Sequence, residues 1–275
     1  MNSVSNFVEN TYEPERFFAE YWRRKPLFVR GGAEGFLGRR WTDEDFDNAH
    51  RIAAAKGASI KEQAGEVTFI ENVSACDPDL TRRAAGFSKQ FASPRAWFDS
   101  VRTYSSSGIG AHFDHSDNFV LQQGGVKEWT LASPTNIEQQ VIARRMLNLP
   151  DVGGHELPEG EGVRFVVEPG DLLYIPLFWL HHGISEAASL SLSLVCPAVS
   201  LYSAVVPFLS HAIKEREIGH EPITALHAYL SPDERTAAVA EIRQATADLL
   251  TRISDDDMVG LVQSLQLKRL PGVSV

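Results

Sequence analysis

Val120-Leu121-Gln122-Gln123, then Gly124-Gly125, then Val126-Lys127-Glu128-Trp129-Thr130-Leu131-Ala132 is the stretch that decides the fold. Its second run alternates large apolar with polar residues, the period of a half-buried strand, and the glycine pair supplies a turn. The spacing predicts a hairpin. Outward from it, residues 163–167, 171–175 and 189–196 repeat short β-branched or apolar runs between Gly, Pro and Asn breaks. Many short strands joined by turns predict a barrel or sandwich.

The flanks read differently. Residues 13–24 predict a helix, with Pro14 in its first turn and Phe17, Phe18, Tyr21 and Trp22 on one face. A strand is expected at 27–30, a helix after Thr42 as N-cap, and a strand at 66–71. Residues 72–93 read as irregular with a helical turn after Asp79, and Ser93-Pro94 as the start of a short helix through Trp97 and Phe98. After Pro197 helices are expected at 200–215, 223–230, 232–253 and 256–265, the third capped by Ser231. Phe208, Leu209, Ile213, Leu226 and Leu230 fall at helical spacings. The chain thus divides into a β core with N-terminal helices, residues 1–197, and a helical region, residues 198–275. That region either packs on the core or pairs two copies, and a homodimer is the expectation.

The 275 residues are 43% hydrophobic and 23% charged, which excludes a disordered or collagen-like chain. A net charge of −10 argues against a grip on nucleic-acid backbone, and the densest basic cluster, Arg23-Arg24-Lys25, reads as a helix end. The two cysteines, Cys76 and Cys196, lie far apart in no metal-spacing motif, so a reducing cytoplasm is expected and a disulfide framework is not. No signal peptide is indicated, and no stretch nears the about 18 apolar residues of a membrane span.

Chemistry concentrates in Gly110-Ala111-His112-Phe113-Asp114-His115-Ser116-Asp117-Asn118. Side chains two apart on a strand share a face, so His112 and Asp114 can offer an imidazole and a carboxylate to one metal ion. A third ligand fits Pro169-Gly170-Asp171 through Pro176, where a strand ends and His181 or His182 emerges from the next loop. Two histidines and one carboxylate with positions left open is the ligand set of non-haem Fe(II) oxygenases. Taken alone, His-x-Asp more often marks a surface or turn pair. Lys127 shares its strand face with Trp129 and Leu131, costly if buried alone. Either its stem lies on the sheet with the ammonium in solvent, or it pairs with a carboxylate from a cosubstrate.

These stretches, with Phe17-Phe18-Ala19-Glu20-Tyr21-Trp22-Arg23-Arg24-Lys25-Pro26-Leu27, resemble the JmjC and cupin-type Fe(II)/2-oxoglutarate oxygenases. The chain is similar in particular to bacterial ribosomal oxygenases and to the asparaginyl hydroxylase of hypoxia-inducible factor. The likeness runs from about residue 13 to about 196. It implies a mainly β fold with helical flanks, a double-stranded β-helix (jelly-roll, cupin) core followed by a helical region. It also implies His112, Asp114 and His181 as iron ligands, His181 rather than His182 because the family's ligand falls five residues after the proline matched by Pro176. Lys127 matches the residue that holds the far carboxylate of 2-oxoglutarate, and Asn118 one at the cosubstrate's near end. Two positions depart from the asparaginyl hydroxylase, Ile109 and Cys196, which leaves Tyr104, Ser106, Ser191 and Ser193 as alternative hydroxyls.

The resemblance implies an enzyme that uses Fe(II), 2-oxoglutarate and O2 to hydroxylate a C–H, releasing succinate and CO2. Asp114, a carboxylate where related halogenases carry a small residue, fits hydroxylation. The implied substrate is amino-acid-type, either a peptide or protein side chain or a free amino acid or intermediate. The segment after 197 is expected to be too short for both the dimerisation region and the winged helix of ribosomal oxygenases. The alternatives are a cupin-like binding or scaffold protein with a vestigial metal site, and a non-oxygenase metal cupin.

Overall fold

A computed structural model describes residues 7–63, 65–91, 93, 95–114, 116–134, 157, 162–198, 206, 210 and 229–266. The chain divides into two compact units, Met1–Ala198 and Val199–Val275. In the first, eight strands form one sheet and three another. The strands are β1 (Val8–Glu9), β2 (Leu27–Val29), β3 (Ile60–Gln63), β4 (Val67–Ile70), β5 (Trp97–Thr103), β6 (Ser116–Gly124), β7 (Lys127–Ala132), β8 (Val163–Val167), β9 (Leu172–Ile175), β10 (Leu180–Ser185) and β11 (Ser189–Pro197). The larger sheet runs β1-β2-β9-β6-β11-β5-β4-β3 and the smaller β10-β7-β8.

Alternation decides which side of the larger sheet each residue faces. In β11, Leu190, Leu192 and Leu194 enter a core shared with the helices, while Ser191 and Ser193 turn to the space between the sheets. Each such leucine contributes about 1.5–3 kcal/mol of burial free energy. The helical layer comprises α1 (Pro14–Arg16) with a π-helical turn (Phe17–Tyr21), α2 (Ala33–Leu37), α3 (Asp43–Lys56) and α4 (Pro78–Gln90). Phe17, Phe91, Phe119 and Tyr174 interlock there, with Phe17–Tyr174 and Phe91–Phe119 centroids both 4.8 Å apart. A second core, including Val120, Trp129, Leu131, Phe165, Leu173 and Ile175, fills one part of the space between the sheets.

Several local expectations are corrected. β6 and β7 lie in different sheets and are not paired: β6 pairs with β11 and β9, β7 with β10 and β8. The Gly124-Gly125 turn therefore carries the chain from one sheet to the other. Gly125 has φ +63°, and a Cβ there would stand 2.2 Å from the Ala188 carbonyl oxygen. Trp97 and Phe98 open β5 rather than a helix. Residues 78–90 form a full helix, capped by Asp77, whose carboxylate accepts from the amides of Asp79 and Leu80. The helix expected at 13–24 is one short turn followed by the π-helical turn.

In the second unit, α5 (Pro232–Thr251) and α6 (Asp255–Gln266) are described, and Ser231 and Glu234 form a reciprocal capping box at the start of α5. Most of the helices expected at 200–215 and 223–230, with Phe208, Leu209, Ile213 and Leu226, lie outside the described residues.

Candidate metal centre

His112 and Asp114 precede β6, not on a strand of their own but on a segment bridged to β10 at one point. The amide of His112 donates to the His181 carbonyl at 3.0 Å, and that of His181 to the His112 carbonyl at 2.9 Å. His181 thus sits within β10, buried, and not on a loop as the sequence suggested. The reason is a tight reversal after Pro176. Phe178 takes a left-handed φ of 63°, and the Trp179 amide donates back to Pro176 at 3.1 Å, so the strand restarts at Leu180.

Each imidazole is tied at Nδ1 to a backbone carbonyl, His112 to Gly110 at 3.0 Å and His181 to Trp179 at 2.8 Å. A carbonyl only accepts, so Nδ1 carries the proton and Nε2 presents a lone pair. The two Nε2 atoms then face each other at 3.2 Å, with Asp114 Oδ2 at 3.4 Å from that of His181 and 3.9 Å from that of His112. Three electron-pair donors converge with no shared hydrogen between the rings, which is the demand a divalent cation meets. Asn118 Nδ2 donates to the same Asp114 oxygen at 2.5 Å, and Ser116 Oγ to Asn118 Oδ1 at 3.3 Å, so a buried chain orients the carboxylate.

The three side chains open on a cavity of about 550 Å³ between the sheets. Lys127 lines it from β7. It is 3% exposed, with its ammonium 5.6 Å from the Trp129 ring centre and no hydrogen bond or ion pair among the described residues. Burial pushes its pKa down to about 8. Leu131 faces His181 across the β7–β10 ladder, and Lys127 stands four residues back along the strand, about 13 Å at the usual rise. The structure therefore gathers His112, Asp114, His181 and Asn118 at one place and Lys127 along the same cavity.

Of the hydroxyls considered, Ser191 and Ser193 line the cavity, whereas Tyr104 and Ser106 are exposed. Ile109 lines it as well, while Cys196 faces the helical core. His182 points to the other face of β10, where burial and the neighbouring His181 lower its pKa. The sequence carries no signal for Asp99, which follows the stretch expected as a short helix through Trp97 and Phe98 and lies instead in β5. It also lines the cavity, and burial raises its carboxyl to about 7, with Glu71 and Asp114 adding repulsion.

Residues 86–203 match the JmjC domain family. Over 217 residues the chain is 24% identical to a probable ribosomal oxygenase of Haemophilus influenzae, covering 70% of this chain and 52% of that protein. Over 164 residues it is 26% identical to tRNA wybutosine-synthesizing protein 5 of Mus musculus, covering 57% and 50%. The chain thus spans about half the length of the curated relatives it matches. Among solved structures, that of the Escherichia coli ribosomal oxygenase YcfD in complex with cobalt and 2-oxoglutarate aligns with a TM-score of 0.58 at 15% identity, over 93% of this chain and 71% of that one. That likeness shows a shared fold.

Proposed function

We infer that the chain belongs to the JmjC/cupin-type oxygenases, and from that premise we propose that it is an Fe(II)- and 2-oxoglutarate-dependent hydroxylase of an amino-acid-type substrate. The observation that carries this reading is the pairing, in one cavity, of a converging two-histidine, one-carboxylate set with a buried ammonium that has no ion-pair partner among the described residues. His112, Asp114 and His181 would hold the iron, and Lys127 the far carboxylate of 2-oxoglutarate. Bound together with O2, these groups supply the oxidation: 2-oxoglutarate goes to succinate and CO2, and one oxygen atom goes to the substrate C–H.

The protein's own part is positional. The two Nδ1–H bonds fix both rings and raise the basicity of Nε2. Asn118 fixes one carboxylate oxygen of Asp114 from the position the family places at the cosubstrate's near end. Trp129 and Lys127, both buried on β7, keep water from the far end. A peptide or protein side chain is favoured as substrate, because the relatives include ribosomal oxygenases. A tRNA substrate, suggested by the mouse relative's name, suits a chain of net charge −10 poorly. We place the protein in the cytoplasm, since its two cysteines, Cys76 and Cys196, lie far apart in the sequence and form no disulfide framework or metal-spacing motif. No helix among the described residues is long and apolar enough to cross a membrane. We assign residues 1–197 to the oxygenase core and 198–275 to a helical region that pairs two copies.

Anaerobic titration with Fe(II) and 2-oxoglutarate tests the reading. A visible charge-transfer band is expected with wild type and not with His112→Ala, followed by succinate release on admitting O2. A wild type that develops neither band nor succinate would instead support a vestigial site or a different metal cupin.

A further inference from the structure

We propose that Asp99 determines substrate choice: its unshared carboxylate oxygen anchors a substrate group whose hydrogen-bond donors sit on a cationic nitrogen. This rests on the hydroxylase reading of the same cavity and names the chemistry of what enters it.

Asp99 is 9% exposed and lies on the cavity face of β5. Its Oδ1 is clamped twice, by the Asn72 amide at 2.6 Å and by Trp97 Nε1 at 2.8 Å. Its Oδ2 has no partner among the described residues. The register places Asp99 beside Ser193 of β11, which in turn faces Val120 of β6. Asp99 is therefore two strands from β6, about 10 Å across the sheet. Lys127 rises from the opposite sheet. One cavity thus carries a cationic wall, which the cosubstrate reading already uses, and a separate anionic wall that it does not.

The plain structural account is that Asp99 holds Asn72, whose φ of 51° is left-handed. That account uses only Oδ1, and a neutral amide would serve it equally. A second oxygen kept ionisable in a cavity wall, beside Trp97 and Val101, is unfavourable unless something binds it. Among the described residues none forms an ion pair with it: on the rim, Lys61 is drawn to Glu71 at 4.0 Å, and the remaining charge is Glu62. A small donor cation or a cationic side chain of a peptide supplies what is missing, whereas an anionic or wholly apolar group would not.

Asp99→Asn keeps an acceptor for the Asn72 and Trp97 clamp but turns the cavity-facing atom into a donor. Wild type and this variant would be loaded with Fe(II) and 2-oxoglutarate. Succinate release would then be read against free arginine, lysine and histidine and against peptides identical except for a central Arg, Lys, His, Gln or Met. We expect cationic compounds to stimulate wild type at least ten-fold over their neutral counterparts. The variant should lose about 10- to 100-fold of that stimulation, as a rise in KM for the substrate. Its KM for 2-oxoglutarate and its charge-transfer band should be unchanged, and its melting temperature should not fall. Equal stimulation by neutral compounds, no stimulation by any cationic one, or an Asp99→Asn variant as responsive as wild type would overturn the inference. If the wild-type band itself fails to form, the hydroxylase reading falls and takes this one with it.

Discussion

Lys127 is the residue whose cost is easiest to measure. Its pKa falls from 10.5 to about 8 because burial opposes the charged form. Above pH 10.5 neither folded nor unfolded chain is protonated at this position, and the penalty is absent. As pH falls from 10.5 to about 8, the unfolded chain takes up the proton first, so stability is lost across that window and the full penalty persists below it. The size is about 3 kcal/mol at most. Lys127→Met is therefore expected to melt a few degrees above wild type at pH 7 and to approach it above pH 10.5. The same variant should raise the KM for 2-oxoglutarate ten-fold or more while leaving Co(II) binding intact. Calorimetry across pH, with and without the diacid, checks both halves. A variant that melts lower than wild type at pH 7 would mean that the ammonium is already satisfied in the ligand-free protein.

At the scale of elements, the site depends on how closely residues 107–112 approach β10. Bridges at Ser107–Ser185 and His112–His181 hold this segment against the strand. Between them, a Cβ on Gly108 would stand 2.1 Å from the Gly183 carbonyl oxygen, and one on Gly183 would stand 2.9 Å from the Trp129 ring. Gly108→Ala should push His112 away from His181, lowering metal affinity at least ten-fold at a stability cost of about 1–3 kcal/mol. Gly35→Ala in α2, where nothing lies within 4 Å, is the control and should be neutral or stabilising. Metal content after dialysis and melting curves for both variants decide it. None of this close approach is legible in the sequence, because glycine contacts are made by distant backbone. The strand at 189–196, the caps at Thr42 and Ser231, and the grouping of His112, Asp114 and His181 were legible, since each is a local pattern or a matched spacing. The pairing of β6 was not: alternation fixes which face a residue takes, not which sheet receives the next strand. Asp99 was hidden for a related reason. Its face depends on β5 being a strand, and its clamp comes from Asn72, 27 residues earlier.

Over the whole molecule, the second unit poses the remaining question. Of the 20 residues of α5, only Ala238 is buried, and Val239, Leu250, Met258 and Val259 stand exposed on α5 and α6. Capping alone does not hold a helix of this length in water, because most helix stability in proteins comes from burying one face. The exposed apolar positions therefore call for a covering surface, and a second copy supplies one that is always present at equal concentration. A homodimer is expected, with twice the 30.4 kDa chain mass in sedimentation at micromolar concentration. The double variant Leu250→Glu, Met258→Glu places charge on both helices and should sediment as a single chain. Because every proposed ligand lies before residue 198, the monomeric variant should keep the Fe(II)/2-oxoglutarate absorption of wild type. A wild type already monomeric at that concentration would refute pairing through these helices. A variant that dissociates and also loses the absorption would show that the metal centre needs the paired state, and the division at residue 198 would then be structural without being functional.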